Sequence, residues 1–443
     1  MPSLLVILLP LLSPARAGVE LGSYGRVQVS TDARGGAGEP VNVVSHGSRL
    51  EQGPYLELDV VFRDDQPDGL DYRVVITPAL SGDLFHYDGQ WDADLALRNL
   101  FVEAEGFSRA PLVAWAGARM WRGDDVYLLD FWPLDDLNTV GGGLSYQPPD
   151  WALDLHGGLN RLAADDWMVQ TEAVPLEGGV GEEEVLVLDR QRFLGSARLG
   201  RTFQGEALTA RIRAYGELHL LPEGSRITED FVEEVLPANR GTVLGLQASA
   251  WGWAEDGFVH LWYRYATGLA AWDELSVPET GYANDWTVTD ASEHLVALAG
   301  NHEAGPLGVM TGAYLRRFED ADHNDVDVDD RWEATAALRP TLYFTDHLSL
   351  GLEASHQWLR PDGLNPRSGA HDVPQITKLA VLPAIQPRKG GFARPQLRLQ
   401  YVYSYLDDDA RWWFAQDDVR RRSHHQHFVG VGAEWWLNSA SYR

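Results

Sequence analysis

Cysteine is absent from the 443 residues of this chain, which excludes disulfide bonds and thiolate metal sites. Basic residues are few, with 36 Lys and Arg against 65 Asp and Glu, for a formal net charge of −29. This balance argues against nucleic-acid binding, which depends on a basic surface that displaces counterions. It suits an acidic, loop-rich surface or one bridged by divalent cations.

Long apolar runs are also scarce, and the only prominent one is "LLVILLPLL" at residues 4–12. This run is too short to cross a membrane as a helix. It precedes an A-x-A cleavage pattern at residues 15–17, so residues 1–17 are predicted to be a secretory signal, although no Lys or Arg precedes the apolar core. With no linker or internal repeat visible, residues 18–443 are predicted to form a single domain.

Strict alternation of apolar and polar residues dominates the rest of the chain, which indicates β-strands with two different faces. In residues 207–220, for example, Leu208, Ile212 and Leu218 alternate with Arg211, Arg213 and other polar residues. The strands are long and their polar faces carry charges and aromatic rings, as in outer-membrane barrels with an apolar face toward lipid. The prediction is an all-β transmembrane antiparallel barrel of about 18 strands. The predicted strands begin near residues 20, 55, 70, 98, 113, 139, 151, 191, 207, 241, 256, 293, 306, 331, 347, 373, 395 and 427.

The loop "DADHNDVDVDD" at residues 320–330 resembles a calcium loop in composition but not in pattern. An EF-hand would need Gly where Asp325 stands and Glu where Arg331 stands. A solvated acidic loop is therefore the favoured interpretation, and neither a metal site nor a cofactor is expected.

Seven stretches of the chain share a family pattern, and the most specific is "WAGARMWRGDDVYLLDFWPLDDL" at residues 115–137. The others are "GSYGR" (22–26), "SRLEQGPYLEL" (48–58), "QWDADLALRNLFVEAEG" (90–106), "GFVHLWYRYAT" (257–267), "GFARPQLRLQYVYSY" (391–405) and "GVGAEWW" (430–436). These stretches resemble the maltoporin family, the sugar-selective, trimeric, eighteen-stranded porins of Gram-negative outer membranes. Together they cover about a third of the chain, and 90–106 is similar to the loop that reaches into a neighbouring subunit.

The resemblance implies a spiral of aromatic rings along which sugars slide. The matching positions are Tyr24, Tyr55, Trp91, Phe258, Phe392 and Trp436, with Trp132 opposite them. The polar partners that it implies are Arg26, Arg49, Glu57, Arg98, Asp125, Asp130 and Asp135. Gly123 occupies the position of one family arginine, and the adjacent Arg122 is the expected substitute.

Alternation supports this assignment independently, because a period of two places Tyr24, Tyr55, Phe258, Phe392 and Trp436 on the face opposite the lipid-facing residues. The resemblance also predicts that residues 122–137 fold into the lumen as a constriction loop. Val126, Leu128 and Leu129 would pack against the wall. Trp132, Asp125, Asp130 and Asp135 would then face the passing sugar.

The expected function is facilitated diffusion of maltodextrins or related oligosaccharides through a homotrimeric channel in the outer membrane, with sugar and membrane lipid as partners. A general diffusion porin for ions and small hydrophilic solutes is the main alternative. A glycosidase using Asp124, Asp125 or Asp130 is a second alternative, but no catalytic motif accompanies these carboxylates. A structural barrel with a plugged lumen ranks last.

Overall fold

The computed structural model describes residues 17–65, 69–82, 94–162, 167–176, 179–227, 232–273, 276–278, 283, 285–322 and 327–439. Most of the predicted signal, and Trp91 in the predicted aromatic spiral, lie outside these residues. The strands are β1 Ala17–Thr31, β2 Tyr55–Asp65, β3 Asp71–Ser81, β4 Asp94–Glu105, β5 Leu112–Arg122, β6 Asp136–Tyr146, β7 Trp151–Asn160, β8 Val169–Pro175, β9 Glu182–Asp189, β10 Arg192–Gln204, β11 Thr209–Leu221, β12 Gly224–Ile227, β13 Glu233–Leu236, β14 Asn239–Trp251, β15 Phe258–Gly268, β16 Ser292–Ala304, β17 Leu307–Glu319, β18 Arg331–Tyr343, β19 Leu348–Pro361, β20 Gln375–Ile385, β21 Gln396–Leu406 and β22 His425–Leu437. A short helix, α1, spans Asp408–Trp413.

Eighteen of these strands form one antiparallel sheet in which each strand pairs with its neighbours. The sheet closes into a barrel because β1 pairs with β22, from Ser23 opposite Leu437 to Thr31 opposite Val429. The pairs β8–β9 and β12–β13 are separate hairpins in the connections that follow β7 and β11. These two hairpins were not predicted from the sequence.

The predicted barrel and its eighteen strands are confirmed. Outward-facing apolar residues are open to the surroundings, as with Val429 at 46 % and Leu261 at 49 % exposure. Inward-facing positions instead hold buried polar side chains such as Glu57, Glu293 and Glu434. An apolar exterior around a polar interior is the arrangement that a lipid bilayer requires of a closed sheet.

The two rims of the barrel differ. At the short-turn rim the connections are brief, as at residues 305–306 and 344–347. At the opposite, long-loop rim the connections contain more residues, as at 32–54, 161–191 and 269–291. None of the helices among the described residues is long and apolar enough to cross a membrane.

The connection between β5 and β6 packs inside the barrel, as predicted. Val126, Leu128 and Leu129 are almost completely buried and belong to the largest apolar cluster, which also contains wall residues of β11 and of β14 to β18. Gly312 of β17 permits the close approach, because a Cβ atom there would lie 2.9 Å from Cγ1 of Val126. Real Cβ atoms essentially never approach other atoms so closely.

Gly312→Val should therefore displace the constriction loop from the wall. We expect a loss of about 1–3 kcal/mol in stability from overpacking, and a lower single-channel conductance because the loop moves toward the channel axis. Both are measurable on refolded protein, by denaturant unfolding and in planar bilayers. Gly216→Val is the control, since a Cβ there meets nothing within 4 Å. Equal effects of the two substitutions would contradict this packing.

Candidate functional site

Aromatic rings form a continuous path along the inner wall. The ring centroids of Phe258 and Phe392 are 5.8 Å apart, and those of Phe392 and Trp436 are 6.4 Å apart. Trp436 on β22 is the register partner of Tyr24 on β1. The Tyr24 ring lies 5.9 Å from that of Tyr55 on β2. The structure thus brings together five of the predicted aromatic residues, here called the aromatic track.

Tyr127 in the constriction loop contacts this track and was missed by the sequence analysis. Its ring lies 5.3 Å from Phe392 and 6.1 Å from Trp436, centroid to centroid. Its hydroxyl donates to Glu434 at 3.0 Å, and the Arg49 guanidinium lies 4.3 Å from the ring centre. Tyr127 begins a single 3₁₀ turn, Tyr127–Leu129, which is too short for periodicity to reveal the direction of its side chain.

Asp130 is held beside the track by groups from the first loop and strand. It adopts a left-handed backbone conformation with φ of 52°. Gln52 donates to its carboxylate at 2.8 Å, and Arg26 and Arg49 lie 3.7 and 4.0 Å from it. Burial raises the pKa of Asp130, but Arg49, Arg26 and Gln52 outweigh burial and hold the pKa below its ordinary value. Arg49 also donates to the Tyr24 hydroxyl at 2.9 Å.

A second charged group lies at the Tyr55 end of the track. The Tyr55 hydroxyl donates to Glu57 at 2.5 Å, and Arg98 forms a salt bridge with Glu57 at 3.3 Å. Arg98 also contacts the Tyr55 hydroxyl. The predicted residues Glu57 and Arg98 therefore form one hydrogen-bonded unit with an aromatic member of the track.

Arg122 and Trp132 mark the narrow part of the lumen. The Arg122 guanidinium lies 4.0 Å from the Trp132 ring centre and pairs with Asp136. Both residues border a cavity of about 410 Å³ toward the long-loop rim, which is also lined by His46. Both also border a cavity of about 550 Å³ on the other side, which reaches Gln147 near the short-turn rim.

Asp135 is buried at the inner wall, as is Glu57, and each is only 2 % exposed. The Asp135 carboxylate accepts from Arg198 of β10 at 2.5 Å. This ion pair occupies the carboxylate, so contact between Asp135 and a passing sugar stays a prediction. A Cβ at Gly123 would lie 1.9 Å from Asp135 Oδ1, so this packing leaves no room for a side chain at the position of the family arginine.

Asp124 anchors the loop to β11 and is a further residue that the sequence analysis did not select for the binding site. It pairs with Arg211, lies 3.4 Å from Arg213, and accepts from Gln247 at 2.7 Å. The carboxylates Asp124 and Asp130 are thus each engaged by arginines. These ion pairs hold the loop in position against β11, β1 and the connection that follows β1.

Asp125 of the constriction loop has a raised pKa. Burial raises the pKa of Asp125 to about 6, Arg49 opposes this shift, and the charges of Asp130 and Asp124 add to it. It borders the cavity on the short-turn side. Its charge therefore changes close to neutral pH.

Ion selectivity should accordingly depend on pH. As the pH rises through about 6, ionisation of Asp125 adds negative charge beside the constriction, so the preference for cations should increase. The reversal potential in a KCl gradient, measured from about pH 4.5 to 8 in planar bilayers, reports this change. Asp125→Asn should remove the step, whereas Asp130→Asn should lower cation selectivity across the whole range. A step of full size in Asp125→Asn would contradict the assignment.

Comparisons with solved structures return outer-membrane proteins of low sequence identity. Acinetobacter baumannii OccAB1 is 11 % identical, with 95 % of this chain and 96 % of that one covered and a TM-score of 0.47. Pseudomonas aeruginosa OccD3 (OpdP) is 11 % identical, with 95 % and 91 % covered and a TM-score of 0.44. Vibrio cholerae OmpT is 12 % identical, with 96 % and 99 % covered and a TM-score of 0.39. No curated protein matches the chain.

The comparison with protein families gives a match over nearly the whole chain. The family described as "LamB porin" matches residues 19–436. This range includes all eighteen barrel strands apart from the first two residues of β1 and the last residue of β22. With the closed barrel and its inward-folded loop, the match establishes that the chain belongs to the LamB porin family and forms a channel in the outer membrane of a Gram-negative bacterium.

Proposed function

We propose that this channel carries maltodextrins or related oligosaccharides by facilitated diffusion. The observation that supports the proposal is the aromatic track. At three of its four steps the centroids of successive rings lie 5.8 to 6.4 Å apart. A channel that only sorts solutes by size and charge gains nothing from such rings in its lumen. We therefore favour a sugar-selective channel over a general diffusion porin.

The chemistry of a pyranose explains why rings and charges occur together. The ring has an apolar C–H face that can stack on aromatic side chains, and this stacking removes apolar area from water. Its rim of hydroxyls can exchange hydrogen bonds with charged side chains. Because the rings follow one another, a sugar can exchange one weak stacking contact for the next. It can therefore bind and still move along the channel.

Two charged groups flank the track in positions that serve this purpose. Arg26, Arg49 and Asp130 lie at Tyr24, while Glu57 and Arg98 lie at Tyr55. Arg122 and Trp132 lie where the two cavities meet. Of the predicted residues, Asp135 also holds Arg198.

Transport in this proposal needs no chemical step. The carboxylates of the constriction loop serve as hydrogen-bond acceptors and as anchors. Gly123 leaves the lumen with one guanidinium fewer than the family pattern implies, so the affinity for sugar should be modest.

Sugar block of ion current tests the proposal. Maltodextrins added to a planar bilayer should reversibly reduce the current through the channel. Trp436→Ala should weaken block about two- to tenfold, since one stacking contact contributes about 0.5–1.5 kcal/mol, and Phe258→Ala and Trp91→Ala should act in the same direction. Trp435→Ala is the matched control, because Trp435 is adjacent to Trp436 on β22 but its indole lies beside Gly25 of β1 and donates to Ser23 of β1.

Each result has a defined meaning. If no oligosaccharide of any class blocks the current, sugar selectivity is refuted and the general diffusion porin stands. If Trp435→Ala weakens block as strongly as Trp436→Ala, the track is not the binding path. Release of reducing ends from oligosaccharides by pure protein would instead support the glycosidase.

We further propose that the protein is a homotrimer seated in outer-membrane lipid. The support is the family match and the resemblance of residues 90–106 to a loop that enters the neighbouring subunit. Chemical cross-linking of the folded protein in detergent should give a band at three times the chain mass. Deletion of residues 83–93 should reduce this band, whereas deletion of 177–178, in the connection between β8 and β9, should leave it unchanged. A monomer after cross-linking would contradict the trimer.

A further inference from the structure

The loop that joins β17 to β18 brings together three carboxylates. Asp320 follows β17 directly, and Asp327 and Asp329 precede β18. One carboxylate oxygen from each lies within 4.8 Å of the other two. The loop belongs to the long-loop rim, away from the constriction. None of these residues takes part in the transport proposed above.

Asp320 carries a buried oxygen without a hydrogen-bond donor. The residue is 4 % exposed, and no N–H or O–H group of the described residues donates to its Oδ2. Its other oxygen, Oδ1, accepts from the backbone N–H of Asp322 at 2.9 Å. Leaving a buried carboxylate oxygen unsatisfied costs free energy, so a positive group is expected at Oδ2.

The nearest arginines do not supply that charge. Arg317 pairs with Glu319 and Asp362, each at 2.8 Å or less, and Arg331 lies 3.8 Å from Glu333. Within the described part of the chain, no Lys or Arg forms a salt bridge with any of the three carboxylates. Burial and the neighbouring charges of Asp329 and Asp322 raise the pKa of Asp320 to about 8.

We propose that Asp320, Asp327 and Asp329 bind a calcium ion. Calcium takes oxygen ligands at about 2.3–2.6 Å, so two ligands on one ion lie at most about 5 Å apart, and the three oxygens meet this limit. Carboxylates are hard ligands that favour calcium or magnesium over transition metals. Calcium is the better fit because it accepts irregular coordination by protein oxygens, whereas magnesium demands near-octahedral geometry and keeps several waters.

The ion would fix two loops of the rim together. The backbone N–H of Gly363, in the connection that follows β19, donates to the Asp327 carbonyl. Asp330 is hydrogen-bonded to the same turn, because its carboxylate accepts from the Asp320 N–H at 2.6 Å and its N–H donates to Asp327 at 3.1 Å. The site does not follow the EF-hand pattern, which is why its spacing did not reveal it.

Calorimetric titration of the folded, full-length protein with CaCl₂ after EDTA treatment tests the site. At pH 7.5 we expect one ion per chain with a Kd of about 10⁻⁴–10⁻³ M, the range typical of extracellular modules, and binding of Mg²⁺ at least tenfold weaker. Asp327→Asn combined with Asp329→Asn should reduce the affinity at least tenfold. Glu183→Gln combined with Glu184→Gln, in the exposed strand β9, removes the same charge and should leave binding unchanged.

Thermal unfolding of the same proteins, followed by the heat-induced loss of the folded gel band, gives a second measurement. Calcium should raise the midpoint for the native protein and the Glu183/Glu184 variant only, because a ligand that binds the folded state stabilises it. If the correctly folded native protein binds no calcium, the carboxylates of Asp320 and Asp329 are joined by a shared proton and not by a cation. Equal loss of binding in both double variants would show general screening of acidic charge. Either result overturns the site.

Discussion

The pairing of β1 with β22 is the contact on which the rest of the structure depends. It closes the sheet, so that backbone groups within the wall are paired and side chains alone decide what each face meets. The outer face can then be apolar throughout, and the inner face can hold charges that a membrane would exclude. Without closure neither the aromatic track nor the charged groups beside it would have a defined place.

The constriction loop is held by two kinds of contact. Its apolar side, with Val126 and Leu128, lies against the wall at Gly312. Three of its acidic residues are fixed by arginines of the wall and of the connection after β1. Asp124 pairs with Arg211 of β11, Asp135 pairs with Arg198 of β10, and Asp130 lies near Arg26 of β1 and Arg49 of the connection that follows. The apolar contacts supply free energy without direction, and the ion pairs set the orientation.

The barrel could be predicted from the sequence because its strands obey one simple rule. Side chains alternate between two faces with a period of two, so strand positions and the inward direction of Tyr24 and Trp436 follow from the pattern. The loop conformation has no such rule. Tyr127 lies in a 3₁₀ turn of only three residues, and the burial of Asp135 depends on Arg198, which is distant in sequence. The hairpins β8–β9 and β12–β13 have many charged residues and weak alternation, so their pattern gave no signal.

The resemblance indicates positions but not the environment of each position. It placed Arg49 and Asp130 beside the track, where the structure has them. It also suggested that Arg122 replaces the arginine missing at Gly123, yet Arg122 pairs with Asp136 and stacks on Trp132. Neighbouring side chains decide whether a guanidinium is available to a ligand. These contacts are set by the three-dimensional structure and cannot be inferred from residue identities at matching positions.

The seam of the barrel has a consequence for biogenesis. Tyr24 and Trp436 belong to opposite ends of the chain and become neighbours only when the first and last strands meet. An incompletely inserted chain therefore holds two separate groups of rings and no continuous route between them. The step that seals the protein against the lipid is the same step that completes its transport path, so a partly assembled molecule would have neither a sealed wall nor a working route.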